Sequence, residues 1–130
     1  MKILLLEDEI SLNEHISKYL TLKGNDDGLE LLDCTNLYEY DFFIFDINVP
    51  NVNGLEILEF LRDKSIDSPV IMISALVDIE DVKKAYKLGC SDYLKKPFEL
   101  AELELRMESI LKQFHFTKIV ELGDGYTYDL

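Results

Sequence analysis

Four short apolar runs each end in a polar group able to do chemistry. Glu7 and Asp8 follow KILLL, Asp46 follows FFIF, Ser74 follows VIMI, and Lys95-Lys96 follow the aspartate-aromatic stretch Asp92-Tyr93-Leu94. A bare aspartate at the end of a buried strand costs several kcal/mol unless something compensates it. Carboxylates converging at strand ends would form an oxygen-rich pocket of the kind that holds Mg²⁺, while a lysine and a hydroxyl opposite would bind an anion. Metal, nucleophilic carboxylate, hydroxyl and ammonium together suit phosphoryl transfer to an aspartate. Each position also has a plain structural explanation. Glu7-Asp8 reads as an acidic turn, Ser74 as a helix cap, Tyr93 as an ordinary aromatic, and Asp46 before Pro50-Asn51 as turn chemistry. All of those explanations would have to hold at once.

The elements that must carry these groups alternate. Lys2 to Leu6 reads as a buried strand, and Ser11 to Lys23 as a helix with Leu12, Ile16, Tyr19 and Leu20 on one side and Gly24 as its stop. Asp26 to Cys34 has helical spacing, Phe42 to Phe45 is a second buried strand, and Gly54 to Lys64 is a helix with Leu55, Leu58 and Leu61 inward. Val70 to Ile73, Asp78 to Leu88 and Asp92 to Leu94 continue as strand, helix and short strand, before an amphipathic helix over Glu99 to Lys112. Strand-helix alternation with continuous apolar strands predicts an α/β fold, a parallel sheet covered on both faces, whose ligands bind outside the carboxyl ends of the strands.

At 130 residues the chain is one domain with a short appendage, and its net charge of −13 argues against gripping a nucleic acid unaided. No apolar run reaches membrane-spanning length and no leader precedes Met1-Lys2-Ile3, so a cytoplasmic location is expected. Cys34 and Cys90 lack metal spacing and read as free thiols in a reducing compartment.

The stretches LLLEDE (Leu4 to Glu9), FDINVPNVNG (Phe45 to Gly54), MISA (Met72 to Ala75) and DYLKKPF (Asp92 to Phe98) resemble, in order, the receiver domain of bacterial two-component response regulators. The resemblance implies a flavodoxin-like, doubly wound parallel sheet. It implies that Asp46 accepts a phosphoryl group from a sensor histidine kinase. Glu7, Asp8, Asp46 and the main-chain carbonyl of Asn48 would hold Mg²⁺. Lys96 would pair with the phosphoryl oxygens, before a cis bond to Pro97, and Ser74 and Tyr93 would form a switch pair. Such a domain is a phosphoryl acceptor rather than an enzyme. Two other readings remain at this stage: a degenerate receiver that binds partners without phosphorylation, and a Mg²⁺-dependent phosphohydrolase using Asp46 in turnover.

Two departures, at the second strand and at Leu76, matter, and so does the C-terminal stretch. After Lys23-Gly24 the family has a second strand, but here Asn25-Asp26-Asp27-Gly28 follows at once, so that strand is expected to be missing, by true deletion or by residues absent from the sequence. Absence by true deletion would leave a hydrophobic edge. Leu76, two residues after Ser74, offers no hydrogen bond to an attacking water, which predicts a long phosphoryl lifetime. Finally, Lys118 to Leu122 and Tyr126 to Leu130 alternate like strands around Gly123-Asp124-Gly125. They resemble the opening of the winged-helix DNA-binding domain of OmpR/PhoB-type regulators, giving a receiver over 1–112 and a linker with truncated effector strands over 113–130. Transcription regulation through that further domain is expected. So is homodimerisation through the family's fourth helix, fifth strand and fifth helix: Lys83, Lys84 and Lys87 lie on the fourth helix, Asp92 starts the strand, and Glu102, Glu104 and Arg106 lie on the fifth helix, opposite charges on adjacent elements.

Overall fold

All residues of Ile3–Leu6 (β1), Phe42–Asp46 (β3) and Val70–Ser74 (β6) are buried, which is what both-face coverage of a parallel sheet requires. The computed structural model describes residues 2–20, 23–25, 37–49, 52–75 and 78–122. With Lys23–Asn25 (β2) and Asp92–Lys95 (β7) these strands form one parallel sheet of order β2-β1-β3-β6-β7. A two-strand antiparallel ribbon, Asn48–Val49 (β4) with Val52–Asn53 (β5), follows β3.

Alternate strand residues divide the core in two. Leu4, Leu6, Phe43, Phe45, Val70 and Met72 pack with Leu55, Leu58 and Leu61 of helix α2 (Gly54–Asp63) and Ala85 of α3 (Ile79–Lys87). Ile3, Leu5, Phe42, Ile44, Ile71 and Ile73 pack with Ile16 of α1 (Ile10–Leu20) and Leu103 and Met107 of α4 (Leu100–Leu122). The period of two along the strands therefore sends each side chain to one helical layer or the other. Helix α2 starts where Asn53 caps it, its side chain accepting from the Leu55 N–H at 2.7 Å, and Asp78 caps α3 the same way through the Glu80 N–H.

The structure corrects three expectations. Four strands of four or five residues carry the sheet, and the second strand, expected to be missing, is present as three-residue β2 along β1, with Leu4 opposite Lys23 and Leu6 opposite Asn25. Parallel pairing is made by main-chain groups, so Lys23-Gly24-Asn25 can pair without the apolar alternation that announces a strand. The first strand is accordingly not an edge. Helix α1 ends at Leu20 rather than Lys23. The last helix, expected to stop at Lys112, runs on through Leu122, across residues assigned to a linker and a strand. No glycine or proline interrupts the sequence from Leu100 to Leu122, and Gly123 is the first breaker. The helix expected over Asp26 to Cys34, Leu76 and the strand expected over Tyr126 to Leu130 lie outside the described residues. Among the described residues no helix is long and apolar enough to cross a membrane.

Candidate functional site

Strand order decides which polar ends meet. Leu6 pairs with Phe45, so Glu7, one residue beyond β1, stands beside Asp46, the last residue of β3. Glu7, Asp8 and Asp46 each offer an oxygen, and these oxygens lie within 4.8 Å of one another. Glu7 is fully buried and Asp46 4% exposed, while Asp8 faces solvent. This is the carboxyl edge next to the point where the sheet's strand order reverses, where such folds bind ligands.

The local sequence fixes both buried acids. Asp46 Oδ1 accepts the Asn48 N–H at 2.9 Å, and Glu7 Oε2 accepts the Glu9 N–H at 3.0 Å. The Gly54 N–H donates to the Ile47 carbonyl at 2.8 Å, and a side chain at Gly54 would run into the main-chain oxygen of Asp46. Only glycine lets the start of α2 approach the acidic loop this closely. Asn13, on the first turns of α1, donates its side-chain amide to the Glu7 carbonyl at 2.9 Å.

Lys96 comes from the loop after β7, across a cis bond to Pro97, as expected. Its Nζ lies 2.7 Å from Asp46 Oδ2 and 2.5 Å from Glu7 Oε1. Glu7 Oε1 is buried, and its close contact with Lys96 falls short of an aligned hydrogen bond. Burial pushes the Glu7 carboxyl up from its ordinary 4.5 to about 7; Lys96 and the Glu9 N–H pull the other way, and Asp46 adds to the rise. Burial pulls the Lys96 ammonium down, but its bonds and charge pairing with Asp46 and Glu7 outweigh this and leave it raised. Three carboxylates against one ammonium, with one buried oxygen lacking an aligned bond, make an all-oxygen donor set that fits Mg²⁺.

Ser74 ends β6, fully buried, and its carbonyl accepts the Lys96 N–H at 2.8 Å. Its side chain is hydrogen bonded to Tyr93 on β7, and the Tyr93 ring is partly buried against the core layer of α2 and α3. Burial raises the Tyr93 phenol and the bond from Ser74 opposes that rise. The edge thus gathers Glu7, Asp8, Asp46, Ser74 and Lys96, with Tyr93 joined to it through Ser74. Asn48 is tied to Asp46 by its N–H. Gly54 and Asn13 had no role in the sequence reading. Gly54 stands in a quoted motif, but its contact is with a carbonyl eight residues back. The reach of Asn13 to the strand before it leaves no mark in any spacing.

On the outer face of α4, Arg106 pairs with Asp92 at 2.8 Å and with Glu102 at 3.5 Å within the same chain. Lys83 stands 3.9 Å from Glu80 on α3.

Residues 3–108 match the family model described as the response regulator receiver domain. The transcriptional regulatory protein SilR of Salmonella typhimurium, described as probable, is 42% identical over 118 residues, 87% of this chain and 52% of its own. The cell cycle response regulator CtrA of Brucella ovis is 31% identical, with 95% of this chain and 56% of its own covered. The chain spans about half the length of both relatives. The solved structure of DrrB, a Thermotoga maritima OmpR/PhoB homolog, superposes with a TM-score of 0.78 at 25% identity, over 86% of this chain and 52% of that one. The chain belongs to the response regulator receiver domain family of two-component signal transduction.

Proposed function

We propose that this receiver accepts a phosphoryl group on Asp46 from the phosphohistidine of a sensor histidine kinase, in a Mg²⁺-dependent reaction. The observation that carries the reading is the setting of Asp46. It is a buried carboxylate at a strand end, with Lys96 at 2.7 Å and the Glu7 and Asp8 oxygens within 4.8 Å. Glu7, Asp8, Asp46 and the Asn48 carbonyl would hold Mg²⁺, which when bound offsets the repulsion between the acceptor carboxylate and the incoming anion. An Asp46 oxygen attacks phosphorus while the bond to the donor breaks. Lys96, already at the carboxylate, turns its ammonium to the phosphoryl oxygens. Ser74 gives its hydroxyl to the same group, which breaks its bond with Tyr93 and frees the ring to move inward.

That rearrangement is the switch: one new charge biases an existing two-state element. It acts on β7, where Tyr93 sits between the faces of α3 and α4, and favours homodimerisation through α3, β7 and α4. The protein is cytoplasmic and regulates transcription, as the relative SilR is described to do, through a DNA-binding domain of the longer protein. The chain is an acceptor that turns over once per donor encounter, not a catalyst.

Intact mass after incubation with acetyl phosphate tests this on wild type and Asp46→Asn. Gain of one phosphoryl group by the wild type only, and only with Mg²⁺, is expected. Gain by neither, or equal gain by both, would overturn the reading.

A further inference from the structure

A pocket of about 370 Å³ opens beside the acidic edge, lined by Glu9, Leu12, Ala75, Lys96, Pro97 and Phe98. Because Lys96 both lines this pocket and touches Asp46 at 2.7 Å, the pocket adjoins the acceptor carboxylate. Its charges are unequal. The Lys96 ammonium is taken up by Glu7 and Asp46, whereas the exposed Glu9 carboxylate has no ion-pair or hydrogen-bond partner among the described residues. Glu9 is nevertheless held in place by its main chain, whose N–H donates to Glu7 and whose carbonyl accepts the Asn13 N–H at 2.9 Å. Apolar walls, one unpartnered carboxylate and an adjoining phosphoryl acceptor suit a flat ring that carries an N–H and a phosphoryl group.

We propose that Glu9 is a specificity-determining residue that selects nitrogen-linked phosphoryl donors over acyl phosphates. The proposal rests on Asp46 being the acceptor. A phosphoimidazolium ring lies in the pocket with the N–H of its unphosphorylated nitrogen donating to Glu9. The Asp46 oxygen forms its bond to phosphorus as the P–N bond breaks. The electron pair of that bond stays on the ring nitrogen, and the cation leaves as neutral imidazole, keeping its N–H proton. Glu9 favours the cationic form, which is the better leaving group. With acetyl phosphate the electron pair leaves on acetate, and the Glu9 carboxylate repels the developing anion.

The test compares initial rates of phosphorylation by N-phosphoimidazole and by acetyl phosphate, at saturating Mg²⁺, for wild type and Glu9→Gln. Glutamine keeps the shape and removes the charge, and neither main-chain bond involves the side chain. A single close charge contact at a partly exposed site is worth about tenfold in rate. The expected result is therefore a roughly tenfold slower reaction with N-phosphoimidazole and a faster one with acetyl phosphate, with Glu9→Asp falling between. A donor ratio that stays within about twofold of wild type would overturn the proposal while leaving Asp46 as acceptor. Failure of both donors to label the wild type would overturn the acceptor reading and this one with it.

Discussion

At the scale of the residue, Glu7 carries the largest electrostatic tension at the site. It is fully buried, has one oxygen without an aligned hydrogen bond, and shares Lys96 with Asp46. Its folded-state value of about 7 lies above the ordinary 4.5, so folding favours the protonated acid. The stability this group contributes is therefore complete below about pH 4.5 and is lost as pH rises through about 7. Glu7→Gln lacks this titration. Thermal melts of both proteins without Mg²⁺ are expected to show the wild type losing ground to Glu7→Gln between those two pH values. A difference in melting temperature that stays flat, or moves the other way, would contradict the assignment. Adding Mg²⁺ above pH 7 should restore the wild type and leave Glu7→Gln little changed.

At the scale of the element, the loop after β3 and the start of α2 are built as one piece around Gly54. The Gly54 N–H holds the Ile47 carbonyl, Asn53 caps the helix, and a Cβ at position 54 would meet the Asp46 carbonyl. Gly54→Ala is expected to cost about 1–3 kcal/mol in denaturant unfolding, as overpacking does. It should also slow phosphorylation of Asp46, because the main chain that carries Asp46 must shift to make room. An alanine variant with wild-type stability and rate would show that the close approach is not needed. These elements differ in how readable they were. Asp46, Ser74 and the acidic pair were legible because each ends an apolar run, and the parallel order of such runs puts their ends on one edge. Strand β2 was not legible, since Lys23-Gly24-Asn25 contributes backbone bonds and no apolar pattern. The reach of α4 to Leu122 was misread because Lys118 to Leu122 alternates weakly, while the continuous absence of glycine and proline was the stronger signal. Contacts such as Asn13 to Glu7 and Gly54 to Asp46 depend on how elements close on one another, which no local spacing encodes.

At the scale of the whole molecule, a chain of net charge −13 places Lys83, Lys84 and Lys87 on α3 and Glu102, Glu104 and Glu108 on α4, the helices of the two layers that flank edge strand β7. A surface carrying both signs on adjacent elements can pair with a copy of itself about a two-fold axis. Sedimentation of the phosphorylated protein is expected to show a dimer that weakens as salt screens the contact. Arg106→Glu, which reverses the charge facing Asp92, is expected to keep phosphorylation and lose the dimer. A phosphorylated wild type that remains monomeric at all salt concentrations would remove this face from the mechanism. The sheet, both helical layers and the cis loop before Pro97 converge on one carboxylate, so the central claim concerns which residue takes the phosphoryl group. Borohydride reduction converts an aspartyl phosphate to homoserine, and peptide mapping of the reduced protein then reads the site directly. The account predicts homoserine at position 46 alone; modification at Glu7 or Asp8, or none anywhere after donor treatment with Mg²⁺, would contradict it.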